Sequence, residues 1–84
     1  MTTWQVALVR EQGVEFAVVS VRDSVLDIPT ERDELIRFWS TQLMRPTVLI
    51  GAQRHRTYGR DDIVRFLSRV HPSRLPWRRM DIAA

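Results

Sequence analysis

Two runs rich in Val and aromatic residues, 4–9 and 14–21, flank Glu11-Gln12-Gly13, and this pairing constrains the fold more than any other feature of the chain. It is a β-hairpin signal. A three-residue loop, a type I turn closed by Gly13 in the left-handed region, suits the tripeptide because glycine sits there without strain. In that register Arg10 pairs with Val14, Leu8 with Phe16, Val6 with Val18 and Trp4 with Ser20. The bulky side chains then share one face, and the other carries Ala7 with Ala17, Val9 with Glu15 and Gln5 with Val19. Both faces are substantially apolar.

Pro29-Thr30-Glu31-Arg32-Asp33-Glu34 reads as a helix start, with Thr30 capping the Asp33 amide and three carboxylates favoured by the macrodipole. The spacing predicts a helix over 30–44 with an apolar stripe of Leu35, Phe38, Trp39 and Leu43, flanked by Ile36 and ended before Pro46. A short apolar strand is predicted over 47–50, a loop over 51–60, and a second helix over 61–70 with Ile63, Phe66, Leu67 and Val70 on one face. His71-Pro72 stops that helix. The order ββαβα predicts an α+β two-layer sandwich, a three-stranded sheet with both helices on one face. The third strand lies beside either the first or the second. Residues 1–71 form a single domain in this reading. Residues 72–84 form a Pro- and Arg-rich tail, laid over the body or into a dimer interface through Leu75, Trp77 and Met80.

A chain of 84 residues buries only about 60 to 65% of its unfolded surface, so its stability margin is thin. With no cysteine there is no disulfide or thiolate site to supplement the core, which leaves oligomerisation. Apolar runs such as Phe16 to Val19 are far too short for a membrane span, and Met-Thr-Thr-Trp-Gln is not a signal peptide, so a soluble cytoplasmic chain is expected.

All thirteen basic residues are arginine, the usage of a GC-rich genome, and they are unevenly placed. Residues 1–42 hold four arginines and seven carboxylates (net −3), whereas residues 43–84 hold nine and three (net +6). The basic half suits nucleic acid, an acidic partner or the acidic half of a second copy.

Among motifs whose mechanism follows from spacing, no Walker loop, GxGxxG, GxSxG, HExxH or CxxC occurs, so no catalytic set and no cofactor are expected. The passage 51–60 comes nearest to an anion site, but Asp61 and Asp62 occupy the helix start where a phosphate would dock. Cationic neighbours make His55 a poor metal ligand, and His71 reads as a capping base at the end of the second helix. The carboxylates Glu31, Asp33 and Glu34 read as cap and dipole residues rather than as catalytic acids.

The expected role is a noncatalytic protein-interaction module, self-associating as a homodimer or binding a protein partner. The alternative is nucleic-acid binding through Arg54, Arg56, Tyr58, Arg60, Arg78 and Arg79. The face predicted to need cover is Ala7, Ala17, Val19, Val21 and Leu49, with Trp77 of the tail or a second subunit over it, and the short chain favours the dimer.

Overall fold

A computed structural model describes residues 2–82. The strands are β1 (Thr2–Glu11), β2 (Val14–Val21), β3 (Thr47–Gly51), β4 (Thr57–Tyr58) and β5 (Trp77–Ile82). The helices are α1 (Pro29–Leu43) and α2 (Asp61–Leu67), and short 3-10 turns occupy Asp23–Asp27 and Pro72–Arg74.

The predicted three-stranded sheet is overturned, although the α+β class holds. The sheet has five strands in the order β4-β3-β2-β1-β5, parallel between β2 and β3 and antiparallel elsewhere. Two strands come from segments read as loop and tail. β4 adds two residues to the outer side of β3, and β5 pairs with β1 from Thr2↔Ile82 to Ala7↔Trp77. The third strand lies beside the second, the mixed arrangement among the two the sequence left open.

The hairpin register differs from the expectation by one residue. Glu11 pairs with Val14 and Arg10 with Glu15, leaving a two-residue loop in which Gln12 (φ 51°) and Gly13 (φ 79°) both take positive φ. Positive φ at both central residues is the requirement of the type I′ turn, whose twist matches that of the flanking strands. Slipping one residue moves every β2 side chain to the other face relative to β1. Val6 therefore shares a face with Ala17, Val19 and Val21, while Ala7 shares the opposite face with Phe16 and Val18.

Each face has its own cover, so the helices lie on opposite sides rather than together. On one side Trp39 of α1 is fully buried over Val6, Ala17, Val19 and Leu49, with Leu35, Ile36 and Leu43 packed around it. On the other, Ile63 and Leu67 of α2 and Leu75 pack onto Phe16, Val18, Val48 and Ile50. Connectivity explains the division. The β2-α1-β3 crossover takes one face, and the chain must then travel from β4 at one edge to β5 at the other across the face that remains.

α1 begins one residue earlier than predicted, with Ile28 as N-cap and no side-chain cap; Thr30 lies within the helix. Phe38, placed on the apolar stripe by its spacing, is 43% exposed and stacks edge-on against Trp39 at 5.4 Å. α2 is shorter than predicted, ending at Leu67, with Val70 still packed on the core beyond it. No helix among the described residues is long and apolar enough to cross a membrane.

Candidate functional site

The loop between β3 and β4 carries two of the candidate arginines, Arg54 and Arg56, and it is pinned at several points. Gly51 donates its amide to Arg56 O (2.8 Å), His55 donates to Gly51 O (3.0 Å), and Ala52 donates to Val21 O (2.8 Å). The Arg54 amide donates to both carboxylate oxygens of Asp23 at 3.3 Å. Arg56 donates to Asp27 (2.9 and 3.4 Å) and to Asp23 O (3.1 Å). Hydrogen bonding to Arg56, and then its charge, hold the Asp27 carboxyl below the ordinary aspartate range.

Tyr58 donates its hydroxyl to Asp33 at 2.9 Å, and the Arg32 guanidinium stacks on its ring at 4.1 Å. Arg60 makes a bidentate pair with Asp62 at 2.8 Å for each bond, which lowers the Asp62 pKa through the hydrogen bonds first. The β3–β4 loop thus lies against the acidic Asp23–Asp27 turn, and Tyr58 of β4 meets Arg32 and Asp33 of α1.

The six predicted anion contacts are accordingly divided. Arg56, Tyr58 and Arg60 are engaged within the chain, whereas the side chains of Arg54, Arg78 and Arg79 have no ion pair among the described residues. Tyr58 belongs to β4 at one edge of the sheet, and Arg78 and Arg79 belong to β5 at the other. The topology does not bring them into one basic surface.

The apolar candidates are not on an open face. Ala7, Ala17, Val19 and Leu49 are fully buried, Val21 is nearly so, and Ala7 lies on the opposite face from the other four. Trp77 is half-buried against the α2-side cluster, donating its indole N–H to Pro72 O at 2.7 Å. Trp39 of α1 covers Ala17, Val19, Val21 and Leu49, and Met80 and Ile82 of the segment read as a tail pack against the same cluster.

His71 caps the Pro72–Arg74 turn from its N-terminal end, instead of the C-terminus of the preceding helix. Its Nδ1 accepts from the Ser73 amide (3.2 Å) and lies 2.8 Å from Ser73 Oγ. A Ser-His contact suggests a nucleophile and its base, but here the same nitrogen is committed to a backbone amide. Among the described residues no three His, Cys, Asp or Glu side chains are placed to hold a metal ion.

Two features escaped sequence reasoning. One is a cavity of about 380 Å³ at the carboxyl ends of β2 and β3, whose wall includes Gln5, Ser20, His55, His71, Ser73 and Trp77. These residues come from separate elements, and no spacing signal links them. The other is the outer edge of β5, hidden because Pro72 and Pro76 made the segment read as irregular. No family model, curated protein or solved structure matches the chain.

Proposed function

We propose that the chain is a noncatalytic interaction module that pairs with a second copy of itself through β5. The observation that carries this reading is a six-residue strand at the end of the sheet with no strand beyond it among the described residues, whereas the opposite edge is the two-residue β4. Such an edge presents unpaired backbone donors and acceptors, a template for strand addition.

The side chains favour a second copy as the partner. Alternation along β5 puts Trp77, Arg79 and Asp81 toward the α2 side, and Arg78, Met80 and Ile82 toward the α1 side. A twofold axis normal to the sheet keeps like faces together, so residues of equal parity stand opposite one another. Centred on Met80, it sets Arg79 against Asp81 of the second copy twice, and opposite charges across a strand pair are favourable. Asp81 already accepts a hydrogen bond from Thr3 Oγ1 at 2.7 Å, which orients its carboxylate. Left unpaired, the same charges guard an edge against aggregation, and the experiment separates the two roles.

Sedimentation equilibrium of the full chain tests the reading. A monomer–dimer equilibrium is expected, with Arg79→Asp weakening it about tenfold or more and Arg79→Asp combined with Asp81→Arg restoring it. A monomer at every concentration to about 1 mM, or a dimer indifferent to Arg79→Asp, overturns it.

A further inference from the structure

The cavity at the end of the sheet touches β5 only at Trp77, its first residue, and not at Arg79 or Asp81. It opens where the parallel strands β2 and β3 end, the position at which α/β sheets commonly hold ligands, and its volume of about 380 Å³ lies in the range of small-molecule sites. Three rings, those of His55, His71 and Trp77, share its wall with Ile50, Ala52 and Pro72. Gln5, Ser20 and Ser73 interrupt this apolar and aromatic lining with hydrogen-bonding groups.

The backbone at the cavity is held in an uncommon state. His55 takes φ 60°, which residues other than glycine rarely adopt, and it does so inside the loop pinned by Asp23 and Asp27. This arrangement keeps the His55 ring 6.3 Å from that of His71, edge to face. Because the Ser73 amide donates to His71 Nδ1, a neutral His71 ring carries its proton on Nε2. Its remaining nitrogen is therefore a donor. A transition metal needs a lone pair there, whereas a phosphate or a carbonyl oxygen accepts from it.

Charge narrows the ligand further. Arg54 immediately precedes His55 and Arg74 immediately follows Ser73; both side chains are exposed and free of ion pairs among the described residues. Two separate segments of this aromatic wall thus each have an exposed cation as the next residue in the chain, just outside the lining itself. A planar heteroaromatic ring with an attached anion matches both parts, the ring against the imidazoles and indole and the anion against the arginines. We infer that this cavity binds a nucleoside monophosphate, free or as the end of a single strand, with its base among His55, His71 and Trp77 and its phosphate toward Arg54 and Arg74.

Titration of the ¹⁵N-labelled full chain with adenosine or uridine 5′-monophosphate tests this, read at the Trp77 indole N–H. A saturable shift is expected, with the dissociation constant raised about fivefold or more in Arg54→Gln or Arg74→Gln. Both replacements are at exposed positions and keep the fold, and Gln5→Leu supplies a third variant expected to weaken binding through the base alone. No saturable shift up to about 10 mM overturns the assignment, as does an equal shift from inorganic phosphate or ribose 5-phosphate. A tetranucleotide that binds more tightly than the monophosphate identifies a strand end as the source; equal or weaker binding identifies the free nucleotide. Because Arg79 and Asp81 play no part, failure here leaves the β5 dimer standing, and the reverse also holds.

Discussion

Arg56 donates to both carboxylate oxygens of Asp27, at 2.9 and 3.4 Å, and this pair ties the β3–β4 loop to the 3-10 turn that leads into α1. Arg56 also reaches Asp23 O at 3.1 Å, so one guanidinium spans the turn from its first residue to its last. The loop carrying His55 is held by chain segments about thirty residues earlier.

The acid response of this clamp follows from the sign of its shift. Asp27 titrates below its ordinary value, through the Arg56 hydrogen bond first and the Arg56 charge second. Its contribution is therefore complete above the unfolded aspartate pKa of about 3.9, and is lost as pH falls through the lower folded value. Both groups are exposed, so the contribution is small and weakened by salt. The difference in thermal stability between wild type and Asp27→Asn is expected to shrink from pH 6 to pH 3, and at pH 6 in 1 M salt. The Asp27 carboxyl carbon shift in Arg56→Gln should titrate nearer the ordinary value.

Trp39 and Phe38 are neighbours in sequence but differ in environment, the first fully buried and the second 43% exposed. Trp39→Ala is expected to cost about 3–5 kcal/mol and Phe16→Ala about the same, since each fills the core under a different face. Phe38→Ala should cost less than about 1 kcal/mol. Chemical denaturation measures all three, and equal losses at Phe38 and Trp39 would rotate α1 away from its assigned orientation.

Gln12 and Met44 both hold positive φ (51° and 55°) on the surface, Met44 at 90% exposure at the C-terminal cap of α1. Asparagine tolerates this region better than other non-glycine residues. Gln12→Asn creates an Asn-Gly type I′ turn and is expected to stabilise the chain by up to about 1 kcal/mol. Met44→Asn should act in the same direction. A loss of stability at Gln12→Asn would point to the three-residue loop and the other hairpin register.

Gly59 sits at φ 154°, where a Cβ would meet Val48 Cγ2 at 2.8 Å and Val48 Cα at 3.2 Å. The close approach of β4 to β3 thus requires glycine in both conformation and space. Gly59→Ala is expected to lower stability by more than about 1 kcal/mol and to reduce amide protection at Tyr58 before that at Val18. Uniform loss of protection throughout the sheet would mean that β4 is not a separable edge.

What the linear order of residues determined was local. Alternating Val and aromatic residues around Gly13 specify a hairpin, Pro29 and the following carboxylates specify where α1 begins, and Val48-Leu49-Ile50 specify a buried strand. The tertiary structure decided the register of that hairpin, the two added strands, the face each helix covers and the convergence of the cavity residues. These depend on contacts between distant segments. β5 exists as a strand because its backbone pairs with β1 at the opposite end of the described chain, a gain that outweighs the local signal of Pro72 and Pro76. The hairpin register turns on one residue. Both alternatives bury apolar side chains, and the arrival of α1 on one face and α2 on the other selects the one that sets Ala17 beneath Trp39 and Ala7 beside Phe16.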